Sequence, residues 1–170
     1  MKKNKIKLHI ICGFVGAGKT TLAKKLEKKY KAIRFSTDEW MIELFNFKGN
    51  FGKKYIDSKK RCKEFIWKLA KEILLSKRDV VLDFGFWSKK ERALFFKRAK
   101  QIGVEPVLYF LDIPIKELKK RVNFRNKKLD AKTFNITEIW FNKWLPLFEA
   151  PKSSEQPIII NQKKKSPSGE

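Results

Sequence analysis

The stretch Leu8-His-Ile-Ile-Cys12-Gly13-Phe-Val-Gly-Ala-Gly18-Lys19-Thr20 decides how the rest of the chain is read. Lys7 to Cys12 is a short β-rich run stopped by Gly13, so it reads as a strand. Gly13 to Thr20 then matches G-x-x-x-x-G-K-[ST] at every fixed position. The pattern has a mechanical basis. Glycines let backbone N–H groups turn inward around phosphate oxygens. A helix starting at the end of the loop adds partial positive charge there. Lys19 is placed to reach β- and γ-phosphates, and the Thr20 hydroxyl to hold Mg²⁺. Gly13, Val15, Gly16, Ala17, Gly18, Lys19, Thr20 and Thr21 are therefore the nucleotide-binding candidates. The bland alternative is a tight Gly-rich turn that binds nothing. The basic Met1–Lys7 followed by the uncharged Leu8–Gly18 mimics a secretory leader. A buried first strand and a phosphate loop explain it better.

Outward from this loop, strands and helices alternate. Thr20–Tyr30 has Leu22, Ala23 and Leu26 at helical spacing, and Ala32–Phe35 is a second short strand. Ser36 and Glu39 form a capping box that opens a helix through Trp40, Met41, Leu44 and Phe45. Lys48–Tyr55 reads as a loop. Ser58–Lys77 reads as an amphipathic helix with Cys62, Phe65, Ile66, Leu69 and Ile73 on one stripe. Asp79–Asp83 is a buried strand. Ser88 and Glu91 cap a helix running to about Ile102, which Gly103 ends. Val104–Leu111 is a strand, and Pro114 fits the first turn of the next helix. Lys127–Asn135 is a polar loop, Thr137–Phe148 a helix with an aromatic stripe, and Ile158–Ile160 a last strand. Such alternation predicts a parallel five-stranded sheet with helices on both faces. One domain is expected over residues 1–162, followed by a flexible basic tail, 163–170.

The 170 residues are 42% hydrophobic and 14% aromatic, which excludes a wholly disordered chain. Forty-one Lys and Arg stand against eighteen Asp and Glu, for a net charge of +23. This favours phosphate-rich partners and leaves nucleic acid open. Only seven of those cations are Arg, and Lys is a poor bidentate reader of bases or phosphates. The lysines fall in scattered pairs such as Lys24-Lys25 and Lys119-Lys120, which reads as a solvated exterior. Cys12 and Cys62 have no zinc or disulfide spacing, and one His makes no metal cluster. No stretch approaches the length of a membrane span, and a cytoplasmic protein is expected. A guanine-reading Asn-Lys-x-Asp is missing; Asn126-Lys-Lys-Leu-Asp130 is one residue too long.

With the phosphate loop, four further marks complete a resemblance: Ser36-Thr-Asp38, Leu82-Asp83-Phe-Gly-Phe-Trp87, Arg121-x-x-x-Arg125 and Phe148-Glu-Ala-Pro151. In this order the chain resembles the small P-loop kinases that include zeta toxins, chloramphenicol phosphotransferase and polynucleotide kinase domains. The resemblance implies a P-loop NTPase three-layer sandwich with a helical lid. It also implies ATP and Mg²⁺ as cofactors and γ-phosphoryl transfer to a hydroxyl. A small acceptor is preferred: a nucleoside, sugar nucleotide or antibiotic. A polynucleotide 5′-hydroxyl and a non-catalytic ATP-binding switch are the alternatives. Asp38 takes the place of the base that accepts the acceptor's proton, or is simply a carboxylate favoured at a helix start. Asp83 takes the second acidic position, for Mg²⁺ or acceptor, or is a turn residue before Gly85. Arg121 and Arg125 share a helix face and act in catalysis by closing over ATP; otherwise they are a solvated basic face. Arg92 is a weaker candidate: it reaches an acceptor phosphate or simply pairs with Asp or Glu. Trp87 and Trp40 flank the acidic residues as acceptor-pocket candidates, but aromatic residues at helix starts are more often core.

Overall fold

The computed structural model describes residues 5–47, 49, 51–128 and 134–161. The polar stretch 129–133 and the tail from 162 onward lie outside them. Five strands, β1 (Lys7–Cys12), β2 (Ile33–Ser36), β3 (Val80–Gly85), β4 (Glu105–Phe110) and β5 (Ile158–Ile159), form one sheet in the order 2-3-1-4-5. All four pairings are parallel. The helices are α1 (Lys19–Tyr30), α2 (Thr37–Phe45), α3 (Lys53–Leu75), α4 (Lys89–Gln101), α5 (Ile115–Lys127) and α6 (Glu138–Trp144). Every residue of β3, and Leu8 to Cys12 of β1, is buried. Apolar–polar alternation is therefore absent in the central strands, as it must be where helices cover both faces. The α/β architecture is the expected one.

Two boundaries differ from the sequence reading, each for a local reason. Helix α3 starts at Lys53 rather than Ser58. Gly52 precedes it with no side-chain cap, so no capping residue marked the start. Its buried seam is Tyr55, Cys62, Ile66, Ala70 and Leu74. Phe65 and Leu69 are exposed; Phe65 leans sideways toward Trp40, with ring centroids 6.3 Å apart. Helix α6 ends at Trp144 and tightens into a 3₁₀ turn, Leu145–Leu147. Pro146 supplies no N–H to carry the α-helix on to Phe148. Among the described residues no helix is long and apolar enough to cross a membrane.

Past β3 the chain makes a sharp turn. Gly85 has φ 88° and Phe86 φ 46°, a left-handed conformation that a bulky side chain adopts only under constraint. The constraint is Arg92, which takes the second of its two readings and pairs with an acidic residue, Glu155. The Arg92 side chain is 1% exposed and does not line the cavity described below. Nη1 donates to the carbonyls of Phe86 (3.0 Å) and Glu149 (2.8 Å), while Nε and Nη2 donate to both Glu155 oxygens (2.7 and 2.9 Å). The guanidinium ties the strained turn to the segment before β5. Replacing Arg92 with Met leaves these acceptors unmatched and the turn unbraced. A loss of about 3 kcal/mol is expected, read from the urea unfolding midpoint.

Candidate active site

The phosphate loop spans the gap between β1 and α1. Gly16 (φ 82°) and Gly18 (φ 91°) take left-handed backbone conformations. A Cβ on Gly16 would stand 2.9 Å from Val122 Cγ2 and 3.0 Å from the Leu118 carbonyl oxygen. The loop is thus packed directly against α5, and only glycine fits. Gly16→Ala should cost about 1–3 kcal/mol and weaken ATP binding in the same protein, checked by a thermal melt and an ATP titration. Helix α1 has no side-chain N-cap bond, so its first N–H groups remain available to an anion. Lys19 Nζ donates to the Phe14 carbonyl at 3.0 Å. Burial pulls its pKa down, against the opposing fields of Asp83 and Asp38.

A cavity of about 620 Å³ opens over this loop, a size typical of small-ligand sites. Val15, Gly16, Gly18, Lys19, Thr20 and Thr21 line it. Gly13 and Ala17 are buried behind the loop and do not. Asp38, Asp83, Trp87, Arg121 and Arg125 line the same space. Trp40 does not. It packs edge-on against Phe35, centroids 5.8 Å apart, at the margin of the core.

Asp38 is carried in the first turn of α2, whose start is capped by Ser36 Oγ accepting from the Glu39 N–H at 3.4 Å. Its Oδ1 accepts from Lys59 Nζ at 2.9 Å, and the same ammonium donates to Tyr55 Oη at 3.0 Å. Burial alone would raise the Asp38 pKa, but Lys59 outweighs it and holds the carboxyl below its ordinary value. Burial works against the Lys59 ammonium too; Asp38 and Tyr55 overcome it and push that pKa up.

Asp83 lies two residues before the end of β3, beside Thr20 and almost fully buried. Burial raises its pKa, with Lys19 and the Thr20 hydroxyl opposing. Its Oδ2 has no hydrogen-bond partner, although Arg34 Nη1 lies 4.0 Å away. A buried, unmatched carboxylate oxygen beside a threonine hydroxyl next to a phosphate loop suits Mg²⁺, which takes few protein ligands and completes its shell with phosphate and water. No group of three or more His, Cys, Asp or Glu suited to a metal occurs among the described residues.

From α5, Arg121 Nε donates to Glu117 Oε1 at 2.9 Å, one turn back. Arg125 donates from Nη2 to the Phe134 carbonyl at 3.5 Å. Burial lowers the Arg125 pKa, and the field of Asp38 opposes that. Asn126 clasps Ile136 through both its amide atoms, joining α5 to the segment before α6.

Sequence reasoning missed Tyr55, Lys59, Lys63, Glu91 and Phe51, all of which line the cavity. Lys59, paired with Lys60, looks like part of a solvated face, and Lys63 is one more lysine on the same strongly basic chain. The one available signal was the spacing of Tyr55, Lys59 and Lys63, which shares a helix face. Of the aromatic stripe, Phe141 is core, as expected, but Trp144 also faces the cavity.

The family model described as an AAA domain matches residues 8–151. A comparison with curated proteins finds no match. Kti12 of Chaetomium thermophilum, solved with ADP-AlF3, superposes with TM-score 0.66 at 16% identity, over 91% of this chain and 87% of that one. The APS kinase CysC of Mycobacterium tuberculosis, solved with AMPPNP and APS, gives TM-score 0.61 at 17% identity, over 95% and 91%. A chain of the Pnkp1/Rnl/Hen1 RNA repair complex gives 0.68 at 19%, over 86% of this chain but only 45% of its own length. At these identities the likeness concerns the fold.

Proposed function

Because the chain belongs to this AAA domain family, whose fold is that of P-loop kinases, we propose that it moves the γ-phosphoryl group of ATP to a hydroxyl of a small acceptor. One observation carries the reading: the phosphate loop and Asp38, held by Lys59, face one cavity. The loop amides and Lys19 hold the triphosphate. Thr20 and Asp83 would hold Mg²⁺, which when bound draws charge from the phosphates. Lys59 occupies Asp38 Oδ1, which leaves Oδ2 to accept the hydroxyl proton. The acceptor oxygen bonds to the γ-phosphorus as the bond to the β-phosphate bridging oxygen breaks, and ADP leaves. Arg121, with Arg125 one turn further, offsets negative charge on the group in transit.

Lys59 gives this reading a pH signature. Asp38 works as a base only when ionised, so activity falls as pH drops through its pKa. Without Lys59, burial remains and the pKa rises. Lys59→Met should therefore move the acid limb of the rate profile to higher pH, measured with saturating ATP.

A polynucleotide 5′-hydroxyl acceptor is the second reading, favoured by the net charge of +23. A panel of nucleosides, sugar nucleotides, aminoglycoside and phenicol antibiotics and 5′-hydroxyl oligonucleotides, incubated with γ-labelled ATP, tests both. Label should enter a small acceptor and depend on Asp38. Label in oligonucleotides alone selects the second reading, and label nowhere rejects the kinase assignment.

A further inference from the structure

Donor chemistry accounts for the cations of the loop and gives Arg125 a share in the charge of the group in transit, but it leaves Lys59 and Lys63 across the cavity without a phosphate. On α3, Tyr55, Lys59 and Lys63 present one face to the cavity at one-turn spacing. Like charges four residues apart repel, and both ammoniums are largely withdrawn from water, with side chains 24% and 18% exposed. Lys63 pairs with Glu91, yet burial still lowers its pKa. Lys59 has two acceptors, Asp38 and Tyr55; an ammonium has three N–H donors. Arg125 completes the group. It has no carboxylate partner among the described residues, its Nε is buried without a hydrogen bond, and the charge that offsets its burial is Asp38.

The remaining wall of this compartment is aromatic. Phe51, Tyr55, Phe134 and Trp144 line it and brace one another edge to face, with Phe51 4.7 Å from Trp144 and 5.1 Å from Tyr55. Fixed rings beside fixed cations suit a ligand with a flat face and a negative group.

We propose that the acceptor is itself a nucleotide: its phosphate lies among Lys59, Lys63 and Arg125, its base lies against the aromatic wall, and its free hydroxyl reaches Asp38. This rests on the kinase reading for the hydroxyl and on the cavity alone for the phosphate. Lys63 is then a specificity residue, acting on acceptor binding and not on ATP.

The test is equilibrium binding, supported by label transfer. Protein saturated with AMPPNP and Mg²⁺ is titrated with adenosine, cytidine, guanosine and uridine, with their 3′- and 5′-monophosphates, and with ribose 5-phosphate. At least one monophosphate should bind about tenfold or more tightly than its nucleoside, a difference expected from one or two charge-assisted hydrogen bonds. It should also outbind ribose phosphate. Lys63→Gln should remove most of the advantage while leaving AMPPNP affinity within about twofold, which also shows that the variant is folded. In label transfer, Lys63→Gln should raise the acceptor KM and spare the KM for ATP. A 5′-hydroxyl dinucleotide or tetranucleotide that outbinds every mononucleotide places the same phosphate in a chain end rather than a free nucleotide. Equal binding of nucleosides and their phosphates, or a phosphate advantage unchanged in Lys63→Gln, overturns the inference even if nucleosides are phosphorylated. Tight phosphate-dependent binding with no label transferred upholds the site and rejects the kinase reading instead.

Discussion

Asp38→Asn is expected to slow phosphoryl transfer about 10²- to 10⁴-fold, the usual share of a positioned general base. ATP affinity should stay within about twofold. The substitution keeps the side chain's shape and its hydrogen bond from Lys59 but removes the lone-pair basicity that takes the hydroxyl proton. Lys59 is the reason the wild-type group is ready to act. Burial alone would raise the Asp38 pKa, and the ammonium at 2.9 Å outweighs it and holds the pKa below its ordinary value. Initial rates with γ-labelled ATP at several pH values separate the two effects. Loss of the base lowers the rate at every pH, whereas loss of Lys59 moves the acid limb. Full activity in Asp38→Asn would leave Asp38 as a helix-start carboxylate and no more.

Lys19→Ala is the second large effect. The side chain reaches from the first residue of α1 to the Phe14 carbonyl, 3.0 Å away, and burial has already weakened its hold on the proton. A desolvated ammonium exchanging a neutral carbonyl for phosphate oxygens gains charge-assisted bonds in place of a weaker one. The variant should bind ATP about 10- to 100-fold more weakly. It should also transfer phosphate about 10²- to 10³-fold more slowly at saturating ATP, as when one preorganised donor to developing charge is removed. The binding part is read from a nucleotide titration and the chemical part from single-turnover label transfer. Adenosine should bind the variant and the wild type alike, because the lysine addresses only the phosphates.

What could be read from residues alone follows from how local each signal is. The phosphate loop needs one strand, two left-handed glycines and one helix start, all within fourteen residues, and it was legible. So was the alternation that makes the sheet parallel. The start of α3 was hidden because Gly52 offers no side-chain cap and the lysines after it show no period. The role of Arg92 depends on Glu155, 63 residues away, and on a left-handed Phe86, neither of which leaves a mark near Arg92. Lys59 presented the same difficulty. In a chain with a charge of +23, one more lysine beside Lys60 looks like solvated surface, and only the fold brings it to Asp38. Rare residue types met a helix period in Arg121 and Arg125, which both line the cavity. For Arg92 and Trp40 the sequence left an ion pair or core packing open beside the pocket, and only the fold separates them.

The central claim is spatial: a triphosphate held by the loop between β1 and α1 points its last phosphorus at Asp38. A crystal structure with AMPPNP and Mg²⁺ measures this directly. The claim predicts phosphate oxygens on the amides of Gly16, Gly18 and Lys19, and Lys19 Nζ moved from the Phe14 carbonyl to the β- and γ-phosphates. It also predicts a gap between the γ-phosphorus and Asp38 that admits one hydroxyl oxygen, about 3 Å from each. A triphosphate bound elsewhere in the cavity, or its terminal phosphate turned away from Asp38 toward bulk water, would contradict it.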